Sequence, residues 1–161
     1  AHLAGLEQRD VLLGDADEEL LHGLRNFYPD ANLIREGVGF GPLLEQIAHL
    51  IDSPWTIPRL HLDLQGTSFQ KQVWQALQEV PAGARITYTE LAGRIGGAIL
   101  ARAVGQACAA NRVAAAVPCH RAVSKNGKLA GYRWGLGRKK LLLEMEAQFS
   151  ASSGEGYKFY E

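Results

Sequence analysis

A nucleophile and the groups that could activate it stand side by side at one place in this sequence, Pro118-Cys119-His120-Arg121. A thiol with an ordinary pKa of about 8.5 is mostly protonated near neutrality, and a neighbouring base or cation favours its ionisation. His120 offers the base and Arg121 the cation, and a carboxylate from the last helical stretch, Glu144 or Glu146, could orient the imidazole as the third member of a Cys–His–Glu set. The triplet fits a buried, inert cysteine as well, which is the reading that suits Cys108 in its alanine-rich surroundings. His2, His22, His49 and His61 show no ligand spacing. Two cysteines alone build neither a disulfide framework nor a four-ligand zinc site, so a reducing, intracellular setting is expected.

The elements that must deliver this triplet can be read on both sides of it. Val113–Val117 is an apolar run ended by Pro118, which predicts a buried strand-like segment presenting the triplet at its end. Upstream, Thr67 or Ser68 caps a helix over Phe69–Val80 with Phe69, Val73, Trp74 and Leu77 inward, and Pro81-Ala82-Gly83 ends it. Thr87 or Thr89 begins a second helix near Glu90, closed by Gly96-Gly97, and a third runs from about Ile99 to Ala110. Two short helices across a glycine turn, the second bearing small residues and an arginine, predict a helix-turn-helix. A last helix covers Gly137–Gln148, with Arg138, Lys139 and Lys140 at its start. Cations there oppose the helix dipole and would suit a phosphate backbone.

The N-terminal stretch reads differently. Ala1–Asp10 suggests a strand end and turn, and Val11–Leu13 a short apolar run. Asp15 or Asp17 caps a helix through about Phe27, and a helix over Gly41–Asp52 places Leu43, Leu44, Ile47, Leu50 and Ile51 on one face. Leu60, Leu62 and Leu64 alternate with polar residues as a strand would. The order indicates a small mixed α/β lobe over residues 1–65, a second domain over 66–150, and a tail over 151–161. Tyr157–Glu161 shows strand-like alternation after a Ser/Gly-rich link and is a candidate to complete the N-terminal sheet.

Charge divides along the same line. The chain of 161 residues is formally neutral, with 17 basic and 17 acidic side chains. Residues 1–66 hold four basic and eleven acidic residues, a net of −7, whereas 67–161 hold thirteen and six, a net of +7. Within 71–140 only Glu79 and Glu90 oppose twelve Lys and Arg. A local field of this sign fits a polyanion partner even when total charge is zero. No stretch has the roughly 18 consecutive apolar residues of a membrane span, so no membrane partner is expected.

Taken together, Pro118-Cys119-His120-Arg121, Arg102-Ala103-Val104-Gly105, Asn111 eight residues before the cysteine, Gly131–Gly135 and Leu141–Glu146 resemble the O6-alkylguanine-DNA alkyltransferases in order and spacing. The resemblance is close over about Leu60–Gln148, above all to the C-terminal half of the bacterial adaptive-response type. It implies a ribonuclease-H-like α/β lobe and a helical domain with a winged-helix-like helix-turn-helix. It implies also DNA repair by irreversible, stoichiometric transfer of an alkyl group from O6-alkylguanine to Cys119 after base flipping, a single-turnover methyltransferase acting as a monomer in the minor groove of double-stranded DNA. Neither cofactor nor metal is implied, and in a bacterium the setting would be cytoplasmic and nucleoid-associated.

The family's roles carry over onto matching positions. Cys119 would be the alkyl acceptor, His120 its base through a water, and Glu146, at the family's spacing, the residue that orients His120. Tyr88 would serve the guanine leaving group and push the backbone during flipping. Asn111 would hold the turn before the cysteine, and Arg102 would fill the vacated stack. Tyr132 would line the pocket, the backbone around Cys119 and Ala122 would read the base edge, and Thr89, Ala101, Ala103, Arg112, Arg121 and Lys125 would meet substrate or DNA. Lys71, Arg85, Arg94, Arg112, Lys125 and Arg138 are candidates for phosphate contacts. Ala122 stands where the family usually has a β-branched valine, which implies a roomier pocket. Gly97-Ala98-Ile99-Leu100 lacks the family's proline and basic residue before the recognition helix. Three alternatives are a non-catalytic alkyltransferase-like damage binder, a sequence-specific helix-turn-helix regulator with a structural cysteine, and a self-labelling derivative of the family.

Overall fold

The computed structural model describes residues 2–6, 10–33, 41–53 and 63–152. Strands β1 (His2–Leu6) and β2 (Asp10–Gly14) form an antiparallel hairpin with Ala4 opposite Leu12. Helices α1 (Asp17–Phe27) and α2 (Gly41–Asp52) follow. Then come α3 (Ser68–Gln78), a two-residue strand β3 (Ile86–Thr87), α4 (Tyr88–Ile95), α5 (Ala101–Ala110), a second short strand β4 (Ala122–Val123) and α6 (Leu136–Ser152). Tight 3-10 turns cover Ala98–Leu100 and Cys119–Arg121. The architecture is a mixed α/β one, helices around small sheets.

Local capping explains the helix starts. Thr67 accepts from the Gln70 amide at 3.2 Å while the Gln70 side chain accepts from the Thr67 amide at 2.9 Å. Thr87 and Glu90 make the same reciprocal pair before α4, so each helix has two of its orphan N–H groups served by its own sequence. At α1 neither Asp15 nor Asp17 caps. Ala16 holds the N-cap position with no side-chain bond, Asp17 is already helical, and Asp17, Glu18 and Glu19 occupy the first turn, where the dipole favours them.

The core is continuous across both halves of the chain. Val11, Leu13 and Ile47 join Val73, Trp74, Leu77, Leu91, Val104 and Val117 in one buried cluster. Trp74 satisfies its indole N–H on the Ala107 carbonyl at 2.9 Å, tying α3 to α5. A lesser cluster of Leu12, Leu20 and Leu24 lies under α1. The halves meet along a short ladder: the Val11 amide donates to Arg112 O at 2.8 Å, and the Ala114 amide donates to Val11 O at 2.9 Å. Charge reinforces the seam, because Arg138 from the basic half grips Glu19 with two bonds, at 2.9 and 2.8 Å, and Asp15 at 2.8 Å.

Several elements differ from the sequence expectation. Val113–Val117 is buried but is a chain of turns rather than a strand; only Val113 bridges to Val11. Alanine has little preference for strands, and Ala115 takes the left-handed region at φ 62°. The α5 helix begins at Ala101, not Ile99, since a 3-10 turn intervenes after Gly97 at φ 129°. The last helix starts at Leu136 and runs to Ser152, past its expected end at Gln148. Of the strand expected at Leu60–Leu64, Asp63–Gln65 is not in a strand and the rest lies outside the described residues, as does Tyr157–Glu161.

Because Thr87 caps α4 with its hydroxyl and also pairs through β3, replacing it by Ala should lower the unfolding free energy by about 1 kcal/mol. Urea denaturation should show an earlier midpoint with an unchanged slope.

Candidate active site

Cys119 sits in the tight turn that follows Pro118, and the backbone pairing just beyond it fixes its neighbours. Ile86 pairs in parallel with Ala122, and Thr87 with Val123. This two-residue register sets Tyr88, the first residue of α4, against the turn that carries the thiol. On the other side Asn111 ends α5. Its side-chain NH2 donates to Val113 O at 3.2 Å, Val117 O at 3.1 Å and Cys119 Sγ at 3.2 Å, and its Oδ1 accepts from the Val113 amide at 2.9 Å. Asn111 is 1% exposed. It supplies by side chain the backbone partners that a strand at 113–117 would have supplied, and it aims two N–H hydrogens at three acceptors, one of them the sulfur.

Cys119 is buried. Burial pushes its thiol up to about 11, while the Asn111 hydrogen bond and the charge of Lys139 pull it down. At rest the sulfur therefore keeps its proton and needs a base. The adjacent His120 is 2% exposed and its Nε2 lies 2.8 Å from Glu146 Oε1. Burial raises the Glu146 carboxyl, but His120 and Arg121 outweigh it and hold the group at about 2. Glu146 is thus an anion, so Nε2 carries the hydrogen that it donates to the carboxylate, and Nδ1 is left as the basic nitrogen. Nδ1 is buried with no partner among the described residues. Burial lowers the pKa of His120 more than Glu146 raises it, which keeps the ring neutral near pH 7.

Glu146 is saturated. Besides His120 it accepts from Arg121 Nε at 3.1 Å on each oxygen, from Arg121 Nη2 at 2.8 Å, and from the Gly83 amide at 2.9 Å. Arg121 Nη1 donates to Val80 O. Arg121 is 7% exposed, and its guanidinium is spent inside the protein. The placement of Arg121 on a substrate or DNA surface is therefore corrected: it anchors Glu146. Glu144, the other carboxylate weighed from sequence, is exposed and pairs with Lys140 at 3.7 Å.

Tyr88 is half-buried and donates to Ala130 O at 3.0 Å. Burial above all raises its pKa to about 12, so its hydroxyl remains a donor. Tyr132 packs edge-on to His120 at 6.4 Å between ring centroids, with its hydroxyl buried and without a partner among the described residues. Ala122 is fully buried. Arg102 on α5 and Lys125 in the turn after β4 are exposed, and Thr89, Ala101 and Ala103 are half-buried. Ile99 stands 93% exposed at the turn before α5.

Of the phosphate candidates, Lys71, Arg85, Arg94 and Lys125 are exposed. Arg112 instead lies 4.6 Å over the Phe27 ring. Arg138 is held by Glu19 and Asp15, so it faces the acidic lobe rather than a phosphate backbone. Sequence reading missed Lys139, which is fully buried, and the Gly83 amide. A lysine in a helix that violates the dipole rule was the available signal for the first; nothing local marks the second.

Glu146→Gln leaves the Arg121 charge buried without an anion, which should destabilise the fold by about 3–5 kcal/mol at neutral pH. The carboxylate's pKa is depressed in the fold, so its contribution is complete above 4.5 and is lost as pH falls through about 2. Urea midpoints should fall across that window in the unaltered protein, and the part of the fall due to Glu146 should vanish in the variant.

A sequence model described as "6-O-methylguanine DNA methyltransferase, DNA binding domain" matches residues 68–148, the stretch that holds every residue of this site. The chain is 44% identical over 138 residues to the regulatory protein Ada of Salmonella typhimurium, covering 86% of this chain and 39% of that protein. It therefore spans about two-fifths of that relative. To the inducible methylated-DNA–protein-cysteine methyltransferase of Bacillus subtilis it is 37% identical over 137 residues, covering 83% of this chain and 75% of the relative. The crystal structure of Mycobacterium tuberculosis OGT in complex with DNA superposes with a TM-score of 0.73 at 33% identity, covering 91% of this chain and 85% of that one. A motif set, a site geometry and a fold thus agree, and the chain belongs to the methylated-DNA–protein-cysteine methyltransferase family.

Proposed function

We propose that this protein repairs DNA by moving the alkyl group of O6-alkylguanine onto Cys119, once per molecule. The observation that carries the reading is the Cys119–His120–Glu146 arrangement: a protonated, buried thiol beside an imidazole whose Nδ1 is bare and whose Nε2 is pinned to an anion. Nδ1, through a water, takes the thiol proton. The sulfur then attacks the alkyl carbon opposite the C–O bond, a C–S bond forms, and the C–O electron pair passes to the purine oxygen. Tyr88 gives the purine a proton and regains one from solvent, to which His120 releases the thiol's proton. The thioether has no leaving group that a second turnover could use, so the protein is consumed.

The same reading assigns the exposed face of α4–α5. Flipping a base out of the stack costs a few kcal/mol, and Arg102 is placed to fill the space it leaves. Ala101 and Ala103 are small enough to let α5 approach a minor groove roughly 6 Å wide. Lys71, Arg85, Arg94 and Lys125 supply sequence-independent phosphate contacts. We read residues 1–65 as a ribonuclease-H-like lobe and 66–150 as the alkyltransferase domain with a winged-helix-like helix-turn-helix, acting as a monomer.

Mixed with a duplex carrying one O6-methylguanine, the protein should gain one methylene of mass on the Cys119 peptide and stop at one equivalent. Cys119→Ala should bind the same duplex and transfer nothing. Turnover beyond one equivalent, or transfer by that variant, refutes the proposal. Because His120 is neutral and the thiol protonated between their pKa values, the single-turnover rate should be flat from about pH 7 to 9 and fall in acid as the imidazole charges. A tenfold rise per pH unit across that range would remove His120 from the reaction.

A further inference from the structure

Lys139 is fully buried, and its ammonium binds three carbonyls: Ala122 O at 2.6 Å, Ala130 O at 2.8 Å and Gly131 O at 3.2 Å. These belong to two separate walls of the site. Ala122 follows the Cys119–Arg121 turn and closes it by donating its amide to Cys119 O. Ala130 and Gly131 lead directly into Tyr132. Tyr88 reaches the same junction from α4, since its hydroxyl shares Ala130 O and its ring centroid lies 5.9 Å from Nζ.

No carboxylate pairs with Lys139 among the described residues. The other buried cation, Arg121, is matched by Glu146. A buried ammonium surrounded by dipoles alone is an unfavourable arrangement, and folds retain one where a charge is needed. The groups near it that could lose a proton to become anions are Cys119, Cys108 and Tyr88, and its charge also lowers the basicity of His120. Cys108 is buried and pushed up to about 12, so it stays a neutral thiol. Tyr88 stays neutral also. Cys119 is the one of the three whose proposed chemistry makes an anion.

We propose that Lys139 is a positioning residue for alkyl transfer: its ammonium staples the Cys119–Ala122 turn to the loop before Tyr132, and it is the un-neutralised buried cation against which the Cys119 thiolate forms. The inference rests on Cys119 being the alkyl acceptor. As the thiol proton leaves through His120, negative charge arises beside a cation already fixed by three carbonyls, with no reorganisation needed. The product thioether is neutral, so the attraction exists only while the sulfur is ionised. Lys139 therefore acts on the ionisation and transfer step and leaves DNA affinity alone.

Lys139→Met keeps all but the last atom of the side chain's length and removes its charge. In a Cys108→Ala background, iodoacetamide alkylation titrated over about pH 6–9, where Lys139 is charged, should run about tenfold slower at Cys119 than with Lys139 present, because the thiol's pKa lies about one unit higher. The single-turnover rate constant for a methylated duplex should fall about tenfold with the duplex Kd unchanged, and Lys139→Arg should restore part of the rate. A folded Met variant with an unshifted thiol, or with a rate lost only through weaker DNA binding, overturns the proposal. Should the Met variant not fold, the coupling can be read from the other partner, because it is reciprocal. The 13Cε resonance of Lys139 should titrate at higher pH in Cys119→Asp, which puts an anion at the sulfur's position, than in Cys119→Asn, and identical titrations overturn the proposal. Both titrations are done without DNA. A shifted thiol in a protein that transfers nothing would refute the repair reading and leave the Lys139–Cys119 coupling standing.

Discussion

One buried carboxylate organises this site. Glu146 arrives from α6, accepts from His120, Arg121 and the Gly83 amide, and is held as an anion by the cations it meets. Remove its charge and three things fail together: the imidazole loses its fixed tautomer, Arg121 is left charged in the interior, and the loop after α3 loses its tie to α6. The carboxylate itself is fully satisfied, and that condition separates a buried ionic cluster that rigidifies from one that merely costs energy. The cysteine's own reactivity depends on this at one remove. Burial alone makes its thiol inert, and only the oriented His120 provides somewhere for the proton to go.

A second constraint is steric and local. The thiol must sit at the bottom of a turn whose backbone has no ladder partners of its own, and Asn111 answers both needs at once, bonding Val113, Val117 and the sulfur. The two-residue pairing of β3 with β4 then carries Tyr88 to the same point. Short strands are weak in isolation, but here a pair of residues is enough because the core that covers them is continuous with α4, α5 and α6.

What could be read from the residues in order depended on how far away their partners lie. Helices α3 and α4 were legible to within a residue or two because their caps are written locally, as Thr67 with Gln70 and Thr87 with Glu90. The Cys119-His120 pair and its carboxylate were legible as a pattern, with Glu146 chosen over Glu144 by family spacing rather than by physics. Distant partners hid the rest. An apolar run at Val113–Val117 reads as a strand unless the Asn111 side chain is known to fold it into turns. Arg138 reads as a phosphate contact until Glu19, 119 residues earlier, is seen to hold it. Arg121 and Lys139 look like surface cations in any window of sequence, and their burial follows only from the packing of α6 against the Cys119 turn.

The seam between the two halves has a bearing on the sulfur that its distance in sequence conceals. Val11 exchanges backbone bonds with Arg112 and Ala114, the residues that flank the segment clamped by Asn111. The hairpin end of the acidic lobe, which bears none of the residues gathered around Cys119, therefore acts as a buttress for the turn that carries the sulfur. Any loosening of those two amides, visible as faster hydrogen exchange at Val11 and Ala114, would be felt one turn later as a misdirected thiol. Aim, and not only ionisation, is thus maintained by a part of the molecule remote from the chemistry.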